Sequence, residues 1–246
     1  MALVTGGSSG IGAATAVALA AEGAAVAMTA RRQDRLESVA EQVRGAGGTA
    51  LVLEADVGDA EQARGVVEQT VAELGRLDTL VNNAGVMLLG PVLAAPLEEW
   101  EEMVRVNLMG LLYCAHAAVP HLLRAAENAP RQVADMVNIS STAGRVARNG
   151  SGVYNATKHG VVAFSESLRQ EMTARHVRIS VVEPGGVATE LQGHNRPEIR
   201  EQISARFANM RVLDAEDIAD VITYIVTRPR HVAVNELLVR PTEQVQ

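Results

Sequence analysis

A single α/β domain, with about seven strands in a doubly wound parallel sheet and helices on both faces, is the fold class this sequence predicts. Three observations carry that expectation. Short apolar runs bounded by turn residues alternate with longer helical patterns almost from end to end, as repeated βα units do. The runs are continuous in Val, Ile, Leu and Ala, as strands covered on both faces must be. A length of 246 residues suits one such domain, and no linker, repeat or low-complexity tract divides it.

Taken in order, strands are expected near Ala2–Thr5, Ala25–Thr29, Ala50–Glu54, Thr79–Val81, Met136–Ile139, Arg178–Val182 and Leu237–Arg240. Helices are expected near 11–22, 34–45, 59–74, 98–126, 153–175 and 215–226, joined by right-handed crossovers. The stretch 186–211 (GVATELQGHNRPEIREQISARFANMR) fits worst, being polar and poorly periodic, and is expected to be a functional lid or a disordered loop within the 1–246 domain.

Composition narrows the function. A net charge of −7 argues against a general nucleic-acid binder. The single cysteine, Cys114, excludes an internal disulfide and fits a reducing compartment; inside LLYCAHAAV it reads as a buried structural thiol. The histidines are scattered without paired ligand spacing, so no metal is assigned, and Tyr113 and Tyr224 read as core or interface. No run reaches the roughly 18 apolar residues that span a bilayer. MALVTGG lacks a basic leader region, so a cytoplasmic protein with no membrane partner is expected.

The first strand runs into TGGSSGIG, Thr5 to Gly12, and then an Ala-rich helix. Gly6, Gly10 and Gly12 let backbone approach a pyrophosphate, with Ser8, Ser9 and Ile11 in the same turn and a helix N-terminus behind them. The spacing G-x3-G-x-G is only analogous to the common dinucleotide fingerprint. The second strand ends in TARRQDR. An acid there would hold a ribose 2′-hydroxyl, whereas an arginine accommodates a 2′-phosphate. Arg31 and Arg32 therefore favour NADP(H) over NAD(H), the weight falling on Arg31 because Arg32 is equally explained as a solvated charge.

Of 22 basic residues 21 are arginine, and the one lysine, Lys158, lies four residues after Tyr154 in VYNATKHGV. Positions i and i+4 share a helix face. A free tyrosine titrates at about 10. A neighbouring ammonium stabilises the phenolate and is expected to pull that value down, towards what general acid–base catalysis needs.

TGGSSGIG, then NNAG at Asn82–Gly85, then a serine thirteen residues before Y-x3-K together resemble the short-chain dehydrogenase/reductase family over nearly the whole chain. The resemblance implies a Rossmann-type fold and hydride transfer to or from nicotinamide C4. It implies that Ser141 orients the carbonyl, Tyr154 gives or takes the proton, and Lys158 binds ribose hydroxyls while tuning Tyr154. Asn107 falls where the family holds a proton-relay water. Asp56, with Val57, matches the adenine contact. Asn83, Ala84 and Gly85 match the segment beside the nicotinamide ribose, and Pro184, Gly185, Val187 and Thr189 the turn over the nicotinamide amide. Ser140 competes with Ser141; the thirteen-residue spacing selects Ser141, and strand alternation points the two to opposite faces.

The resemblance extends to NADP-dependent members that act on small oxygenated aldehydes, ketones or 3-hydroxy acids, through NELLVRPTEQVQ, NNAGVMLLGPV and HLLR. Arg145, Arg148 and Asn149, with His194 and Arg196 in 186–211, are candidates for recognising a carboxylate, or equally are loop arginines on an exposed surface. Two alternatives stand beside a small-carbonyl enzyme. A reductase of carrier-bound 3-oxoacyl chains needs a basic docking face, and 124–131 (RAAENAPR) offers a mixed one. A non-catalytic NADP-binding module has no use for Ser141, Tyr154 and Lys158, yet all three are present. The family also implies a homodimer or homotetramer, with the apolar 108–123 and 161–168 faces as candidates.

Overall fold

The computed structural model describes residues 1–208 and 210–245; Asn209, within the expected 186–211 segment, and Gln246, the last residue of the expected domain, lie outside the described residues. Strands β1 (Ala2–Thr5), β2 (Ala25–Ala30), β3 (Thr49–Glu54), β4 (Thr79–Asn82), β5 (Ala134–Ile139), β6 (Val177–Pro184) and β7 (Glu236–Val239) form one sheet. Every ladder is parallel and the order is β3-β2-β1-β4-β5-β6-β7. This is the expected single-domain Rossmann-type sheet. Its strand order reverses between β1 and β4, and there a cleft opens at the carboxyl ends of the strands.

Alternation along each strand feeds two cores, one per face. Leu3, Leu80, Met136 and Ile179 pack with α3 (Ala60–Leu74) and α5 (Leu111–Asn128) on one side. Val4, Val81, Val137 and Val182 pack with α1 (Gly10–Ala21), α2 (Gln33–Gly45) and α8 (Ala215–Val226) on the other. Helix α8 begins where the Asp214 N–H donates to Asp217 Oδ2 at 2.8 Å, and its Ile218, Ile222 and Ile225 are almost wholly buried. Burying each such side chain contributes about 1.5–3 kcal/mol. Helix α3 is bounded by Asp59, which accepts from the Gln62 N–H, and by Gly75 at φ 84°, a left-handed stop that favours glycine.

The expected helix 98–126 is present with an irregularity. Helix α4 (Leu97–Met103) passes into a π-helical segment, Val104–Gly110, before α5 continues. The whole run, Leu97–Asn128, is long and apolar enough to cross a membrane, but half of its most apolar window is buried inside the fold, where α5 packs on α3 and the sheet.

The described residues of the 186–211 segment hold more helix than its polarity suggests. A 3-10 turn, Glu190–His194, leads into α7 (Pro197–Phe207). Helix α7 buries only Ile199 and Ile203, an i, i+4 pair in an otherwise polar helix, and so narrow a stripe gives little periodicity to read. Asn195 and Arg196 tether the segment to the loop after β4: Asn195 Oδ1 accepts from the Leu89 N–H at 2.7 Å, and Arg196 donates to the Ala94 carbonyl at 3.1 Å.

Candidate active site

The two glycine-bearing turns interlock. Thr5 Oγ1, at the end of β1, accepts from the N–H groups of Asn83 and Ala84 at 3.0 Å each, and Asn83 Nδ2 donates to the Thr5 carbonyl at 3.0 Å. Gly6 has φ +67°, and a Cβ on it would lie 2.9 Å from Ala84 Cα, so the backbones touch. Ser8, Ser9, Gly10 and Ile11 line the cleft, and α1 starts there with its free N–H groups and positive dipole end. Gly12 acts differently from expectation. It does not line the cleft; a Cβ on it would sit 2.3 Å from the Gly6 carbonyl oxygen, so glycine lets α1 seat beneath the turn.

After β2 both Arg31 and Arg32 line the cleft, with different contacts. Arg31 reaches out to Glu102 at 3.4 Å, whereas Arg32 Nη2 donates to Ser8 Oγ (3.2 Å) and Ser9 Oγ (3.0 Å). Its Nη1 donates to Glu190 at 2.9 Å, and Arg35, absent from the sequence expectation, holds the other Glu190 oxygen. The hydrogen bonds from Arg32 and Arg35 pull Glu190 down to about 2. Asp56 and Val57 line the same end, with Asp56 Oδ2 paired to Arg105 at 2.8 Å.

At the centre, Ser141 follows β5, and its Oγ accepts from the Ala143 N–H at 3.1 Å and donates to the Pro184 carbonyl at 3.4 Å. Tyr154 and Lys158 lie on α6 (Gly152–Met172), both nearly buried, with Nζ 5.8 Å from the tyrosine ring centroid and donating to the Ile139 carbonyl at 2.9 Å. All three line the cleft. Ser140, just past the end of β5, also borders the cleft, but its Oγ donates to the Lys158 carbonyl at 3.0 Å. A buried chain fixes α6 to the sheet: Asn82 Nδ2 donates to Asn138 (2.9 Å), and Asn138 Nδ2 donates to Ser165 (2.8 Å).

One electrostatic expectation is reversed. Burial pushes Tyr154 up to about 12, against a hydrogen bond with Ser141 that lowers it, and the same burial pulls Lys158 down to about 8. Desolvation penalises the charged form of each group, and here it is the largest influence on both. Cys114, fully buried, is pushed up to about 12, which suits the structural thiol expected.

Asn107 lies in the π-helical segment behind the cleft rather than in its lining. Its Oδ1 accepts from the Val86 N–H at 2.7 Å and its Nδ2 donates to the Val86 carbonyl at 2.8 Å. The wide π turn thus presents Asn107 as a two-point clamp on the loop after β4.

At the substrate end the five candidates separate. Arg148 and His194 line the cleft; Arg145, Asn149 and Arg196 do not. Arg145 bonds Glu183 at 2.6 Å and also pairs with Glu236, a strut between β6 and β7. Arg196 braces the loop after β4 and pairs with Glu99 at 3.2 Å. Burial, with Arg32 and Arg31 nearby, holds His194 below its ordinary value. Met87, Leu89, Arg206, Phe207 and Gln244 complete the wall and were not among the sequence candidates. Gln244 folds back so that its Oε1 accepts from the Gly186 N–H at 2.8 Å; a Cβ on Gly185 would come within 2.3 Å of that oxygen. Tyr224 proves half exposed, its ring stacked with Arg228 at 4.2 Å.

The family model for short chain dehydrogenase matches residues 1–200, which hold the glycine-bearing turns and Ser141, Tyr154 and Lys158. The chain belongs to the short-chain dehydrogenase family and is an oxidoreductase of that type. Among relatives, it is 40% identical over 244 residues to the glycine betaine reductase ATRR of Emericella nidulans, covering 99% of this chain but only 19% of that protein. It is 34% identical to an uncharacterized oxidoreductase of Staphylococcus saprophyticus, covering 98% of this chain and 96% of that one. Among solved structures, the closed form of serine dehydrogenase complexed with NADP+ superposes with a TM-score of 0.88 at 31% identity, covering 100% and 96% of the two chains. An alcohol dehydrogenase from Thermococcus sibiricus complexed with 5-hydroxy-NADP gives 0.86 at 28% identity, covering 100% and 97%.

Proposed function

We propose that this oxidoreductase is NADP(H)-dependent and transfers a hydride between the nicotinamide and a small carbonyl or alcohol (an aldehyde, ketone or 3-hydroxy acid), with Tyr154 as general acid and base. The observation that supports this best is the meeting of Ser141, Tyr154 and Lys158 in one cleft with a glycine-built cradle. The cradle suits a dinucleotide: side chains at Gly6 or Gly10 would collide with Ala84 or Thr189. Arg32, backed by the Ser8 and Ser9 hydroxyls, suits the 2′-phosphate. The NADP complexes among the structural neighbours add support. Bound there, the cofactor supplies or accepts the hydride.

The chain's own residues do the rest. Ser141 orients the substrate oxygen. Tyr154 gives that oxygen a proton in reduction and takes one in oxidation. Lys158 holds ribose hydroxyls and, as a compact ammonium that sheds its proton near 8, connects Tyr154 to a relay. Asn107 serves the relay as a positioning residue, through its clamp on Val86. The 186–211 segment acts as the lid. Surfaces around 108–123 and 161–168, on α5 and α6, would join copies into a homodimer or homotetramer. The carrier-protein alternative gains nothing from 124–131, where Arg131 is spent on Asp135 at 3.3 Å.

Fluorescence titration with NADPH and NADH, followed by an NADPH-consumption screen over aldehydes, ketones and 3-oxo acids, tests the proposal. Tighter NADPH binding and turnover of a carbonyl are expected. A clear NADH preference would remove the role given to Arg32.

A further inference from the structure

We infer that Arg148 forms an anion subsite at the substrate end of the cleft, and that the natural substrate carries a carboxylate beside its carbonyl or alcohol. This rests on the proposed hydride-transfer function and names the substrate class for it. Arg148 sits on the loop leading into α6, and its carbonyl accepts from the Ser151 N–H (3.2 Å) and from Asn155 Nδ2 (3.2 Å). Asn155 is the neighbour of Tyr154, so the arginine is held at a fixed place relative to the acid–base group. Its side chain lines the same cleft as Ser141 and Tyr154.

The guanidinium is left without an acceptor on one edge. Nε and Nη2 are both buried and both lack a hydrogen-bond partner. These two nitrogens present parallel N–H groups, the fork that grips a carboxylate in a bidentate pair. Among the described residues no carboxylate pairs with Arg148; burial, and then the charges of Arg206, from α7, and Arg240, disfavour its cationic form. Burying a cation among cations is unfavourable unless an anion joins it.

Two other arginines considered for the same role do have acids. Arg145, three residues earlier, has Glu183 and Glu236, and Arg196 has Glu99. Arg148, unlike these two, lines the cleft with the reacting groups and has no acid paired to it among the described residues. The walls beside it, Met87, Leu89 and Phe207, are apolar and suit a short carbon chain between carboxylate and carbonyl.

The test compares succinic semialdehyde with butanal, equal in length and in reacting group but differing in the carboxylate, using NADPH with wild type, Arg148→Gln and Arg148→Lys. Wild type should favour the semialdehyde. Arg148→Gln should raise its KM about 100-fold, the worth of a bidentate charged pair, while butanal kinetics and NADPH affinity stay within about twofold of wild type. Arg148→Lys, a point charge without the fork, should recover only part. Equal semialdehyde kinetics in wild type and Arg148→Gln would overturn the inference, as would a wild type that does not distinguish the two aldehydes. If neither aldehyde turns over, thermal shift with NADP+ and succinate decides: stabilisation of wild type but not of Arg148→Gln supports the subsite, and no difference overturns it. Failure of NADPH to bind wild type would instead sink the cofactor proposal beneath it.

Discussion

Both ends of the cleft carry arginine, but only one supplies its own acid. At the end near α1, Glu190 bridges Arg32 and Arg35 from the segment after β6. At the other end Arg148 faces the cleft among further arginines, with no carboxylate paired to it among the described residues. Lys158, between them, is buried, its ammonium donating to the Ile139 carbonyl beside the Tyr154 ring, with no carboxylate paired to it among the described residues. The contrast separates two designs. An exposed carboxylate can hold a cationic site together until a stronger anion displaces it at little cost, since surface ion pairs are worth little. A buried cation without an acid is a standing cost that a ligand relieves.

The largest effect expected on stability concerns the central cation. Lys158 has a folded value of about 8, below its ordinary 10.5. Between those values the unfolded chain binds more protons, so this group makes stability rise with pH there. Below about 8 both states are protonated and the cost is full, on the order of 3 kcal/mol. Cys114 and Tyr154, both raised, act in the opposite direction at high pH. Comparing wild type with Lys158→Met cancels them. Denaturant unfolding across pH 7–10.5 should show wild type gaining on the variant by about 3 kcal/mol; parallel curves would mean that the ammonium is not strained.

A smaller effect tests the paired end. Arg32→Ala should weaken NADPH about 30-fold by fluorescence titration while leaving NADH nearly unchanged. Equal weakening of both would assign Arg32 to the architecture of the turn. Smallest of all, Glu190→Gln should tighten NADPH about threefold, because the displaced carboxylate no longer competes, and salt should erase the gain. Weaker binding would show that Glu190 holds Arg32 in its productive place.

The difference between these ends also explains what the sequence revealed. Strand positions were legible because both-face burial writes continuous apolar runs, and β1 was placed to the residue. Ser141, Tyr154 and Lys158 were legible because their chemistry needs fixed spacing along the chain. Spacing could not rank Arg31 against Arg32, since two adjacent arginines leave β2 in different directions and only the folded position of Ser8 and Ser9 tells them apart. Nor could it separate Arg145 from Arg148, because the acids that engage Arg145 lie 38 and 91 residues away. Helix α7 was hidden by a two-residue apolar stripe, and Gln244 by a return of the tail that no local pattern records. The π turn at Asn107 leaves no mark in a helical periodicity; Val57, whose carbonyl oxygen would lie 3.1 Å from a Cβ on Gly110, shows how closely that segment packs.

The measurement closest to the central claim is turnover by Tyr154→Phe, which removes one hydroxyl and touches neither arginine end. With a carbonyl that wild type reduces, NADPH oxidation should fall about 10³-fold while NADPH titration gives an unchanged affinity. Turnover within a few-fold of wild type would contradict the assignment of Tyr154 as the acid–base group, and with it the chemistry proposed for this cleft.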